Sequence, residues 1–414
     1  MTLLTRRAGA GWAAVAVWAA LLGGLTGCTG DGGSPVEVAL PGKPRSPDEA
    51  IRITPADNAK GVPADGPLRV NVPEGRLERV VVTKVEDAQQ EQVPGSIAPD
   101  GLSWSPDPEA GRLSLAAKYT VDAVALDGHD RRQARHTTFT TYVPEERFIG
   151  YFKPENRSTV GTGMIVSFNF SRGVKNRADV ERAITVTSEP AVPVVGHWFG
   201  SERLDFRPKE YWKPGTQVTV RMKLRDVEGA PGAYGIQDKS IRFAIGRSQV
   251  STVDAAAHTM EVRRGGELLS TIPVSAGAPK NTTYNGKMVV TEMFDVTRMN
   301  GATVGFTSDD GKGEYDIPDV PHAIRLTASG TFLHGNYWSS PDTFGTTNTS
   351  HGCVGLRDDK GGGSDTPAGW FFDRTLIGDV VEVVNSQDKT VAPNNGLGGW
   401  NMSWADWVAG SALS

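Results

Sequence analysis

The feature that most constrains this chain is a side-chain period of two, repeated in short runs. Val218, Val220, Met222 and Leu224 alternate with Thr219, Arg221 and Lys223. One face of such a run is apolar and the other polar, the pattern of an extended strand with one buried side. Leu68-Val70-Val72, Tyr119-Val121-Ala123 and Val166-Phe168-Phe170 behave alike. Turn formers such as Pro99-Asp100-Gly101 and Lys213-Pro214-Gly215 separate the runs. The 49 glycines and 26 prolines suit many short strands. Ser251 to Met260 and Glu261 to Pro273 read as strands around a turn at Arg264-Gly265-Gly266, and Asp379 to Val384 as a terminal strand. Pro367 to Leu376 reads as the one helix, laying Trp370, Phe371 and Phe372 against a sheet.

A weak internal repeat organises the first half. Pro55, Gly61, Val70 and Val72 echo Pro154, Gly161, Val166 and Phe168, and each copy continues through an aromatic-to-proline stretch, Trp104-Ser105-Pro106 or Phe206-Arg207-Pro208. Two copies of short strands predict tandem immunoglobulin-like sandwiches over 49–144 and 145–246. With no cysteine pair inside them, packing alone must hold their cores. One large β domain is the alternative. A different texture begins at Arg247 and defines a third domain over 247–386. The extension 387–414, with Trp400, Trp404 and Trp407, is expected to pack on that domain, its tryptophans acting as anchors.

The N-terminus reads as an address. Arg6 and Arg7 precede an apolar run from Ala8 to Leu25, too short and glycine-rich for a membrane span. Residues 1–27 are therefore a secretory signal. Leu25-Thr26-Gly27-Cys28 resembles the bacterial lipobox, which implies that Cys28 receives a diacylglycerol and becomes the new N-terminus. Residues 28–48, rich in Gly, Pro and Ser, form a flexible tether. The expectation is an exported protein held on the outer face of the cytoplasmic membrane, facing the wall. Of 43 basic and 48 acidic residues only Arg6 and Arg7 leave with the signal, so the exported chain is more acidic than the −5 of the full sequence. With no basic block, nucleic acid is excluded as a partner.

Cys353 is then the one thiol left, and it cannot make an internal disulfide. It lies in Ser350-His351-Gly352-Cys353-Val354-Gly355-Leu356, 19 residues after His334. An unpaired thiol, an imidazole and flexible backbone point to a nucleophile, its base and an oxyanion pocket. A free thiol with a pKa near 8.5 is only about 3% ionised at pH 7, so an imidazole must take the proton, and an ion pair is expected. The bland alternatives are a buried structural thiol and a zinc site of His334, His351 and Cys353; no further ligand is fixed nearby. His129, His136, His197 and His258 read as surface or core residues, as does His322, which falls in the expected lid. Asp226 and Glu228 make a loop acidic, without support for a calcium site.

Thr331-Phe332-Leu333-His334-Gly335 followed by Ser350-His351-Gly352-Cys353-Val354 resembles the two-part motif of the L,D-transpeptidases, in the lipoprotein subgroup with two immunoglobulin-like domains. The resemblance is strong over about 247–410 and loose over 49–246. It implies a mostly β catalytic domain that makes 3→3 peptidoglycan cross-links through a cysteine thioester, releasing D-Ala from tetrapeptide donor stems, and that carbapenem-type β-lactams inactivate. It implies Cys353 as nucleophile, His334 as base, the Gly335 carbonyl as its orienting group and backbone N–H groups at His351, Gly352 and Cys353 as the oxyanion hole. Met299 and Tyr315 match a lid over the donor pocket, and Ser329 and Gly330 match a strand touching substrate. Trp338 matches an aromatic near the acceptor entrance, and Ser350 and Gly355 complete the substrate-binding set. Gly355 stands where relatives often carry Asn or Arg, Thr283-Tyr284-Asn285-Gly286 replaces Thr-Pro-x-Gly, and His334-Gly335-Asn336-Tyr337 replaces His-Ser-Ala-Pro. Stem peptides are the expected partners, with no metal, no cofactor and a monomeric state. A carboxypeptidase of the same family and a non-catalytic wall-binding lipoprotein remain as alternatives.

Overall fold

Alternation along the chain becomes a series of sheets in the computed structural model, which describes residues 47–86, 89–110, 112–307 and 312–414. The expected signal, Cys28 and the tether up to residue 46 lie outside the described residues.

Two sandwiches come first. A four-stranded sheet containing Arg69–Asn71 and Ser103–Pro106 faces a five-stranded one containing Arg76–Glu86, Lys118–Leu126 and Arg132–Thr141. Their inner faces bury Val70, Val82, Trp104, Val121 and Phe139, with Tyr119 stacked on Phe139 at 5.0 Å. The second sandwich pairs the sheet of Val166–Phe170 and Arg203–Pro208 with that of Gln217–Lys223 and Asp238–Ile245. Val218, Val220 and Met222, the residues that set the period, are fully buried there. No disulfide is involved: among the described residues the one cysteine, Cys353, is free.

The third domain is a nine-stranded sheet. Its strands are β1 (Gln249–Asp254), β2 (Thr259–Arg264), β3 (Glu267–Ser275), β4 (Gly286–Val289), β5 (Glu292–Asn300), β6 (Asp316–Arg325), β7 (Phe332–Asn336), β8 (Val354–Arg357) and β9 (Val380–Val384). They lie in the order β4-β9-β1-β2-β3-β8-β7-β6-β5. The run expected as one strand from Ser251 to Met260 breaks at a turn, where Asp254 accepts from the Ala256 and Ala257 N–H groups and His258 takes φ 57°. Helix α1 (Pro367–Phe372) starts at Thr366, whose hydroxyl accepts from the Gly369 N–H. It buries Phe371 on the sheet, with Trp370 and Phe372 packed alongside. It is not the one helix: Arg177–Arg182 and α2 (Trp404–Ala409) are also helical.

The C-terminal extension departs most from expectation. Trp407 is fully buried, in the core of the second sandwich rather than on the third domain. Its indole N–H donates to the Val195 carbonyl at 2.9 Å. The Arg207 guanidinium lies 4.7, 5.3 and 4.4 Å from the rings of Trp400, Trp404 and Trp407. The extension also holds the third domain: the Asn401 amide exchanges two 2.8 Å hydrogen bonds with the Lys287 backbone in β4. It is a stitch between two domains. The same joint is closed by Gly161 and Gly163, whose N–H groups donate to Ile377 and Gly378, and by Arg247 on the buried Asp379 at 2.8 Å.

Candidate active site

Strands β7 and β8 run parallel, with Leu333 opposite Val354 and His334 opposite Gly355. The same register sets Cys353 beside Phe332, so the alternation of the pleat sends Phe332, His334 and Cys353 to one face. There His334 and Cys353 line a cavity of about 170 Å³ with Met299, Tyr315, Asn336, Trp338 and Ser350.

The imidazole is held in one tautomer. Its Nδ1 lies 2.9 Å from the Gly335 carbonyl, an acceptor only, so Nδ1 carries the hydrogen and Nε2 keeps its lone pair. Trp338 stacks on the ring at 5.5 Å and 12° and is itself 43% exposed, a cover between imidazole and solvent. The thiol donates to the Gly330 carbonyl at 3.5 Å.

Burial decides the charge state. Cys353 is 9% exposed and His334 6%. Desolvation pushes the thiol up to about 11, against a hydrogen bond from the Phe332 N–H that lowers it. Desolvation holds His334 below its ordinary 6.5, opposed by the Gly335 hydrogen bond and the charge of Asp358. The resting pair is therefore neutral thiol and neutral imidazole, not the ion pair expected from sequence, because both charged forms lose water. Tyr315 is raised to about 12, first by burial and then by the negative charge Cys353 acquires once alkali ionises it, so its hydroxyl stays protonated.

The glycine-rich run is tightly folded. The Ser350 hydroxyl donates to the Cys353 carbonyl at 2.6 Å and accepts from the Gly352 N–H at 3.1 Å. The Gly352 donor, expected in the oxyanion hole, is thus engaged. Gly352 sits at φ +112°, which a side chain would resist. His351 is clasped from the β5–β6 hairpin by Glu314, at 3.2 Å, and lies 5.0 Å from the Tyr315 ring.

Four expected positions differ. Ser329 and Gly330 are in the β6–β7 turn, not a strand. Ser329 is turned to the extension, where Asn395 bonds its N–H and its hydroxyl. Gly330 reaches the site only by its carbonyl. Gly355 is buried inside β8 and does not line the cavity; a Cβ there would lie 3.2 Å from the Asn336 amide. His322 is in β6, paired with Asp358 at 2.7 Å, rather than in a lid. Asn336 was missed as a cavity residue, although it lies two positions after His334 on a strand and so must share its face. Among the described residues, no three His, Cys, Asp or Glu side chains converge as a metal-holding group.

A buried thiol and an oriented imidazole lining one cavity, on a β scaffold behind two sandwiches, are the groups that cysteine acyl-transfer chemistry uses. The profile described as L,D-transpeptidase catalytic domain matches residues 248–383, and that described as Bacterial Ig domain matches 59–228. L,D-transpeptidase 2 of Mycobacterium tuberculosis is 33% identical over 405 residues, 97% of this chain and 95% of that protein. L,D-transpeptidase 5 of the same species is 30% identical over 89% of this chain and 79% of its own. Among solved structures, LD transpeptidase LdtMt1 in complex with imipenem is 30% identical, covers 58% of this chain and 100% of its own, and has a TM-score of 0.47. The chain belongs to the L,D-transpeptidase family.

Proposed function

We propose that this enzyme forms 3→3 peptidoglycan cross-links from a Cys353 thioester, on a lipid anchor at Cys28 outside the cytoplasmic membrane. The observation that carries the reading is the His334 tautomer, which leaves Nε2 basic in the cavity that Cys353 lines. A donor tetrapeptide stem enters, and Sγ attacks the carbonyl of its third residue while Nε2 takes the thiol proton. The oxyanion is held by N–H groups of His351 and Cys353, joined by that of Gly352 once the Ser350 hydroxyl turns away. One such donor is commonly worth about 2.7–4 kcal/mol. The imidazolium protonates the departing D-Ala amine, leaving a thioester. The side-chain amine of an acceptor stem then attacks the thioester, gives its proton to His334, and the thiol is restored. Met299, Tyr315, Asn336 and Trp338 shape the peptide path. At about 40 Å per sandwich, estimated from strand length, the two add roughly 80 Å of reach towards the wall.

Donor and acceptor stems incubated with the enzyme should yield a 3→3 dimer by mass. Hydrolysed donor alone would reassign the enzyme as a carboxypeptidase. A carbapenem should leave one covalent adduct on intact protein, absent in Cys353→Ala and slowed about 10² to 10⁴-fold in His334→Ala. An adduct retained by Cys353→Ala would overturn the nucleophile.

A further inference from the structure

We propose that His322 and Asp358 form a strap across β7 that positions the Gly335 peptide and, through it, the imidazole of His334. This rests on the reading of His334 as the general base. Strand β6 pairs with β7 through Ile324–Leu333 and Arg325–Phe332, and His322 lies two residues before that ladder, on the side of β7 away from β8. Asp358 follows β8 on the other side of β7, where its N–H meets the Asn336 carbonyl. The two side chains join above the middle strand: Asp358 Oδ2 accepts from His322 Nδ1 at 2.7 Å. They can cross only where β7 has no side chain. A Cβ on Gly335 would lie 2.0 Å from that same Oδ2. Absence of a side chain at 335, a departure visible in the sequence, is thus the condition for the strap.

Each end is fixed. Asp358 Oδ1 accepts from the Asp359 N–H at 2.8 Å, the Gly363 N–H at 3.0 Å and the Thr366 hydroxyl at 2.8 Å. His322 holds φ 48°, in the left-handed region that a side chain resists, and its ring packs on Phe372 at 5.1 Å. Neither residue lines the cavity. What they grip is the residue whose carbonyl accepts the His334 Nδ1–H, so the tilt of that peptide sets where Nε2 points. Asp358 also puts negative charge behind the ring, which favours the imidazolium formed when the thiol proton arrives. The other titratable groups at the same cavity are Cys353 and His351 before β8 and Tyr315 before β6, with Glu314 on His351.

The test is the pH profile of carbapenem acylation, followed by intact mass, with thermal unfolding measured in parallel. Asp358→Asn keeps the shape and removes the charge. Its acid limb should move to lower pH, since His334 becomes harder to protonate, and its plateau rate should fall about tenfold. His322→Gln cuts the strap but leaves the carboxylate; its plateau should fall without a downward shift of the limb. Gly335→Ala should reproduce the loss of rate by displacing Asp358. Profiles like wild type in both strap variants, whether or not the melting temperature drops, would reduce the pair to a structural brace. His334→Ala separates the two readings: if it acylates at the wild-type rate, the base assignment fails whatever the strap variants do.

Discussion

Replacing Trp407 by alanine tests whether the C-terminal extension is core or decoration. The indole is fully buried in the second sandwich. Large aromatic-to-alanine changes in cores cost about 3–5 kcal/mol through lost transfer energy and the cavity left behind. Two further losses add to that. The Val195 carbonyl loses its 2.9 Å donor, worth about 1 kcal/mol. Arg207, whose guanidinium lies 4.4 Å from this ring and which burial already lowers to about 10, loses one of its three aromatic faces, about 1 kcal/mol more. The total of roughly 5–7 kcal/mol is comparable with the whole stability of many domains. In urea, at a slope of about 2 kcal/mol per M, the transition of the second sandwich should fall by about 2.5–3.5 M. Trp407→Phe should lose about half as much. Because Trp407 does not line the Cys353 cavity, carbapenem acylation in the cold should persist. An alanine variant unfolding within 1 kcal/mol of wild type would refute the claim that this ring is a core element.

Cys353 should make the protein alkali-sensitive. Its thiol is raised in the fold from 9.0 to about 11, so the folded state holds its proton more tightly than the unfolded chain, and stability falls as pH rises through that window, by about 2–3 kcal/mol. Cys353→Ala, compared with wild type in urea at pH 8 and pH 11, should lack that loss; parallel curves would show that the thiol is not desolvated. His334 works in the other direction: its value is lowered, so its contribution is present above 6.5 and is lost as pH falls towards the folded value. Gly352→Ala should slow acylation at least tenfold, because φ +112° strains any side chain by about 1–3 kcal/mol although the nearest atom to a Cβ is 3.7 Å away. An unchanged acylation rate in that variant would show that the loop tolerates the substitution.

Much of the site was legible because its information is local. His334 lies within β7, the Ser350–Cys353 run leads into the adjoining β8, and both reach one cavity; their residue types alone suggest a nucleophile and a base. Asn336 could have been found by the same alternation that places His334. The positions that went astray share a cause. Ser329 is claimed by Asn395, Gly355 is covered by Asn336, and His322 is claimed by Asp358. Each partner is distant in sequence, and nothing in the short pattern around either residue announces the other. The charge of the thiol was misjudged for a related reason: a pKa depends on the water removed by neighbours from other strands.

By itself the sequence determined the strands, the two-sandwich repeat and the residue types gathered at the candidate site, since period, turn chemistry and motif are properties of neighbouring residues. Tertiary structure alone decided that the last 28 residues stitch the second sandwich to the catalytic sheet, that the resting thiol and imidazole are both neutral, and that His322 and Asp358 meet over a glycine. Those outcomes depend on which surfaces exclude water from one another, a property of pairs of residues far apart along the chain.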